Sequence, residues 1–220
     1  MNILPDGTGW ILPPRCAARY TMGVLWRYGV EKLSYHDLVP NPDCKRIIMN
    51  IRNPFTRIRS WLRLWNTTLQ EPIDSKTFIE NLHSGSHGVQ WVNIIDNPNS
   101  IYHPWKYVVP MSEYLRVLKE HNQSPDFYIR QEFLEEDMEA AGYPTMGYDY
   151  ANEPPPDMGE VKGNLQFRAQ PKGTVWEPSD GMSDFEFYEE NPHCADIIAT
   201  YYADDFKNFG YELDFSKVRG

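Results

Sequence analysis

Apolar positions recur along this chain in two registers. Short, nearly continuous apolar runs predict strands covered on both faces, and stretches where apolar residues return every three or four positions predict helices with one buried face. Trp10, Ile11 and Leu12 form such a run, stopped by Pro13-Pro14, and residues 17 to about 28 then read as a helix. A second strand-turn-helix unit is clearer. Ile47, Ile48, Met49 and Ile51 predict a buried strand, Asn53 a helix cap and Pro54 the first helical position. Phe55, Ile58, Leu62 and Trp65 then supply an apolar stripe, with Arg57, Arg59 and Arg63 on other faces of the same helix. Further helices are predicted over 77–82 and 113–121, a third core strand over 127–129, and a short acidic helix over 134–141 that ends at Gly142. Two strand-to-helix units in so short a chain favour an α/β fold with a central parallel sheet.

From 143 to 156 the pattern changes to Pro, Gly and Tyr, and 152–156 can continue neither a helix nor a central strand. This stretch reads as a surface linker leading into an irregular, partly basic segment with Lys162, Arg168 and Lys172. The closing element reads as a single helix over 191–211, with Asn191 as its cap, Pro192 at its first position and Gly210 near its end. A length of 220 residues makes one domain the default, here 1–220 with 151–182 as an irregular linker or lid, and 24% charged residues with seven Trp and fourteen Tyr argue against disorder.

Charge and composition narrow the functional classes. Apolar runs fall far short of the ~20 residues a membrane span requires, and no basic n-region precedes an apolar stretch at the start, so a cytoplasmic protein with neither membrane association nor an export signal is expected. Cys16, Cys44 and Cys194 are odd in number and widely spaced, which predicts neither a disulfide framework nor a zinc site. Lys and Arg number 21 against 31 Asp and Glu, a net charge of −10 that disfavours nucleic acid as a partner while leaving room for a small anion where basic residues gather.

Basic residues gather at both strand-to-helix turns. A helix entrance that follows a strand offers backbone N–H groups to a phosphate. The first turn, 13–19, adds Arg15 and Arg19 to that entrance; the second, 52–60, places Arg52 at a strand end and Ser60 in the second turn of the next helix. If the strands are neighbours, both turns lie on the carboxyl edge of the sheet, where a ligand with two separated phosphates could bridge them.

These segments resemble the 3′-phosphoadenylyl-sulfate (PAPS) dependent sulfotransferases, particularly the carbohydrate-type branch. The first turn resembles that family's loop for the 5′-phosphosulfate. KRIIMNIRNPFTRIRSWLRLW, residues 45–65, resembles its 3′-phosphate strand and helix, in which an Arg and a Ser stand eight residues apart, as Arg52 and Ser60 do. DFYIRQEFLEEDM, 126–138, and YYADDFKNFGY, 201–211, look like its later strand with acidic helix and its closing helix. The resemblance implies a three-layer, P-loop-like fold and an enzyme that transfers the PAPS sulfuryl group to a hydroxyl or amine of a small-molecule or carbohydrate acceptor, releasing 3′,5′-ADP without a metal. It assigns the nucleotide to Arg15, Cys16, Ala17, Ala18, Arg19, Arg52 and Ser60, and leaving-group stabilisation to Arg15. Phe206, Phe209 and Tyr211 are expected to be core packing.

Ala17, Ala18 and Arg19 stand where the family usually has Gly and Ser or Thr, so a nucleotide-binding protein without catalysis is one alternative. A nucleotide kinase is another, disfavoured because no G-x-x-x-x-G-K-[ST] occurs. The resemblance also implies a catalytic base beyond the first helix, where His36 stands 21 residues after Arg15 and is the candidate, with Asp37 and His103 as substitutes. His83 and His87 have helical metal-ligand spacing, but Ser84-Gly85-Ser86 breaks the helix between them and no third ligand is evident.

Overall fold

Parallel pairing brings the two predicted units side by side. The computed structural model describes residues 1–30, 38–68, 74–83, 108–149 and 181–217. Among them β2 (Thr8–Ile11) runs parallel to β3 (Arg46–Ile51), with Trp10 opposite Ile48, and β3 runs parallel to β4 (Phe127–Arg130), with Met49 opposite Tyr128. The sheet is not wholly parallel. A two-residue strand, β1 (Asn2–Ile3), which apolar patterning missed, pairs antiparallel with β2 and gives the order β1-β2-β3-β4.

Alternation along the strands sends side chains to two faces. Trp10, Ile48 and Ile129 pack with α1 (Ala18–Arg27) and with Met138 of α5 (Leu134–Ala140). Ile11, Ile47, Met49 and Ile51 pack instead with Val117 and Leu118 of α4 (Ser112–Glu120). Both faces are thus covered, which is why the strands read as apolar runs.

A third cluster lies around α2 (Pro54–Thr68), where Phe55, Ile58 and Leu62 meet α3 (Ser75–His83) and the C-terminal helices. Asn53 begins α2 as expected, its Oδ1 accepting the Phe55 N–H at 3.0 Å. Arg57 and Arg59, however, are 0% and 1% exposed, so this helix is buried well beyond its apolar stripe. Arg59 donates to Ser75 Oγ and the Met182 carbonyl, and its guanidinium lies 4.1 Å from the Phe187 ring centre. Arg63 grips both oxygens of Asp184, at 2.6 and 3.0 Å.

The C-terminal region departs most from the sequence reading. A helix α6 (Asp184–Glu190) precedes it, started by a capping box in which Ser183 and Glu186 bond each other's backbone. The expected single closing helix is divided into α7 (Pro192–Tyr201) and α8 (Ala203–Phe209) at Tyr202, whose φ of −105° leaves the helical range. Asn191 makes no side-chain cap for α7; it bonds back to the Phe187 carbonyl at the end of α6. Gly210, at φ 70°, closes α8 as expected. The stretch after α5 is not simply a surface linker, since Tyr143 and Tyr148 are buried and the Tyr143 hydroxyl donates within the network of Asp6 and Thr8. Among the described residues no helix is long and apolar enough to cross a membrane.

Candidate anion-binding site at the carboxyl edge

Since β2 and β3 are parallel neighbours, the segments leaving their carboxyl ends, 12–17 and 52–53, lie on one edge. The loop after β2 has two residues other than glycine in the left-handed region, Arg15 at φ 67° and Ala17 at φ 55°. L-residues resist that conformation, so surrounding contacts must hold it.

Those contacts are specific. The carbonyls of Pro14, Arg15 and Cys16, one after another, accept hydrogen bonds from Arg57 Nε at 3.0 Å, Arg52 Nη1 at 3.2 Å and Asn50 Nδ2 at 2.9 Å. Each donor belongs to β3, the turn after it, or α2, so the second unit grips the first loop from beneath. Carbonyl dipoles that would repel an anion are thereby turned onto donors, two of them cationic.

Asn50 is the buried anchor. Its Oδ1 accepts the Trp10 indole N–H at 2.7 Å, and Nδ2 also donates to Thr21 Oγ1 at 2.8 Å, which joins β2, β3, the loop and α1. Its polarity amid an apolar strand was the available sequence signal, because a buried amide must find partners.

Arg15 and Ser60, expected on separate phosphate subsites, touch. The guanidinium donates to Ser60 Oγ from Nη2 at 2.7 Å and from Nε at 3.2 Å. A hydroxyl that accepts two N–H groups directs its own proton elsewhere. Arg52 is half-buried, with Nε donating to Thr56 Oγ1 at 3.0 Å; burial lowers its guanidinium from the ordinary 12.5, and the field of Glu132 opposes the shift. It remains a cation at neutral pH.

Cys16 contributes differently from its neighbours. Its backbone N–H donates to the Pro13 carbonyl at 3.3 Å, and its thiol reaches the Pro14 carbonyl and Met111 Sδ. Burial pushes that thiol up to about 12, so it is neither a thiolate nor a nucleophile at ordinary pH. Ala17 starts α1, its carbonyl accepting the Thr21 N–H, with buried Ala18 and half-buried Arg19 in the first turn. No side-chain bond caps α1, so the backbone N–H groups of its first turn are not taken up by a cap residue.

His36, Asp37, His87, His103, Lys162, Arg168 and Lys172, together with 151–180 of the expected linker, lie outside the described residues, as do the side chains of Trp65 and His83. Phe206 and Phe209 pack in the core as expected. Tyr211 does more: its hydroxyl donates to Glu132 Oε2 at 3.0 Å. No family model, curated protein or solved structure matches this chain.

Proposed function

We propose that this chain is a PAPS-dependent sulfotransferase of P-loop-like fold that transfers a sulfuryl group to a hydroxyl or amine of a small-molecule or carbohydrate acceptor. The observation that carries this reading is the convergence of Arg15, Arg52 and Ser60, with Arg15 2.7 Å from Ser60 and Arg52 bonded to the Arg15 carbonyl. A ligand bearing phosphates at both the 3′ and 5′ positions needs two cations held at a fixed separation. Arg15 and Arg52, on two neighbouring turns, are tied together by the bond from the Arg52 guanidinium to the Arg15 carbonyl, and Ser60 keeps a proton for a phosphate oxygen.

PAPS supplies the activated sulfur. The acceptor oxygen or nitrogen forms a bond to sulfur as the bond from sulfur to the 5′-phosphate oxygen breaks, and the acceptor's proton passes to a base, for which His36 is the candidate. Arg15 would offset the charge that grows on the departing phosphate oxygen. Ala17, Ala18 and Arg19, which lack hydroxyls, favour a second reading, a nucleotide-binding protein without transfer. Tight binding of 3′,5′-ADP with no sulfate transfer across a broad acceptor panel would establish it.

Calorimetry on Arg52→Ala and Ser60→Ala tests the nucleotide reading. Loss of one charge-assisted bond, about 1.5–3 kcal/mol, predicts a roughly ten- to hundredfold weaker affinity of Arg52→Ala for 3′,5′-ADP, with a smaller effect at Ser60. Affinity for 5′-AMP should fall less in both, since it lacks the 3′-phosphate. Equal losses for the two nucleotides would mean that these residues only brace the loop.

A further inference from the structure

Glu132 lies in the 3-10 turn Gln131–Phe133 that follows β4, on the same edge of the sheet as the two anion-site turns. One of its carboxylate oxygens accepts the Asn53 N–H at 2.8 Å and the other the Tyr211 hydroxyl at 3.0 Å. Asn53 is otherwise committed to starting α2: its side chain accepts from Phe55 N–H, and its carbonyl from Arg57 N–H and the Thr56 hydroxyl. Its own N–H is the group that fixes how the chain enters the helix, and Glu132 holds it. Tyr211 in turn is anchored beyond Gly210, with its backbone N–H on the Phe206 carbonyl at 3.2 Å.

We propose that Glu132 is the positioning residue of the anion site, a strut from Tyr211 to the Arg52-Asn53-Pro54 turn that sets where Arg52 presents its charge. The proposal rests on the reading of this edge as a phosphate site. An acidic side chain is unexpected there, because its field opposes a bound anion. Its retention follows from geometry. A carboxylate accepts from two donors at once, and the Asn53 amide and the Tyr211 hydroxyl are both donors here. Burial, reinforced by the neighbouring Glu132, raises the Tyr211 phenol far above its ordinary 10, so it stays protonated and remains a donor to Glu132.

Glutamine separates the two effects. In Glu132→Gln the side-chain carbonyl still accepts from Asn53, and the new amide N–H donates to the Tyr211 oxygen, so the strut survives while the opposing charge is gone. Glu132→Ala removes both. Calorimetry with 3′,5′-ADP should find Glu132→Ala about tenfold weaker and Glu132→Gln as tight as the parent or tighter. Tyr211→Phe, which keeps the Asn53 bond, should lose less than Glu132→Ala, and it serves as the second variant if the alanine protein fails to fold. Hydrogen exchange without ligand gives an independent readout: the Asn53 amide should exchange faster in Glu132→Ala and keep its protection in Glu132→Gln.

An equal loss of affinity in the Gln and Ala variants, or unchanged Asn53 exchange in Glu132→Ala, overturns the strut. Failure of the parent protein to bind 3′,5′-ADP overturns the nucleotide reading instead. The strut then stands or falls on exchange at Asn53, where loss of protection in Glu132→Ala and its rescue by Gln support it.

Discussion

Ala17 adopts φ 55° at the entrance to α1, a conformation that costs an L-residue about 1 kcal/mol or more and glycine nothing. Ala17→Gly should therefore stabilise the fold by up to about 1 kcal/mol, the ~1–2 kcal/mol of relieved strain less ~0.4–1 kcal/mol for the freer unfolded chain, as read from the midpoint of urea unfolding. A destabilised variant would show that the half-buried methyl contributes more packing than the backbone strain costs. Among single residues, Arg15 and Arg52 were singled out by charge at a strand-to-helix turn and Ser60 by the resemblance. Asn50, Arg57 and Glu132 were not: each acts through a partner distant in sequence, such as Pro14 for Arg57, 43 positions away.

At the scale of elements, the strands and helices with strong apolar period were legible, and those defined by polar contacts were not. Ser183 and Glu186 carry the capping-box spacing that starts α6, yet a stretch rich in Pro and acidic residues masked it. The break at Tyr202 was hidden because apolar spacing continues across it, although Asp204 and Asp205 form the acidic first turn that marks a new helix. Asp205 also caps another element. No side chain of its own caps α4; Asp205, from α8, accepts the Met111 and Ser112 N–H groups at 2.8 and 2.7 Å. Asp205→Ala leaves the buried Met111 N–H and the half-buried Ser112 N–H without that acceptor and should cost about 2–4 kcal/mol in urea unfolding. Its pH dependence carries a sign. Burial raises the folded carboxyl above its ordinary 3.8, so ionising it costs folding free energy. The contribution of Asp205 is greatest in acid and shrinks as pH rises from 3.8 through the folded value. The stability gap between parent and Asp205→Ala should therefore narrow over that rise; a widening gap would mean that the bonds to Met111 and Ser112, with the nearby Arg57, outweigh burial.

The whole molecule carries a net charge of −10, so its far field repels a polyphosphate, and attraction must come from the local cluster at the sheet edge. That cluster exists only because β2 and β3 are parallel neighbours, a pairing between residues 38 positions apart, such as Trp10 and Ile48, that no local pattern encodes. Both turns were legible separately, but their mutual bonding was not. One consequence concerns global stability, since a ligand that binds only the folded chain raises the melting temperature by mass action. On the proposed reading, 3′,5′-ADP at a concentration 100 times its dissociation constant should contribute about 2.7 kcal/mol, or roughly 5–10 °C for a domain of this size. With affinity ten- to a hundredfold lower for want of the 3′-phosphate, 5′-AMP at that concentration contributes only about 0.4–1.4 kcal/mol, or roughly 1–5 °C. Scanning fluorimetry in excess chelator should reproduce both shifts, because Arg15 and Arg52 supply the positive charge. Shifts of equal size would remove the 3′-phosphate from the reading, and loss of the 3′,5′-ADP shift on chelation would mean that a cation bridges the phosphates to this edge.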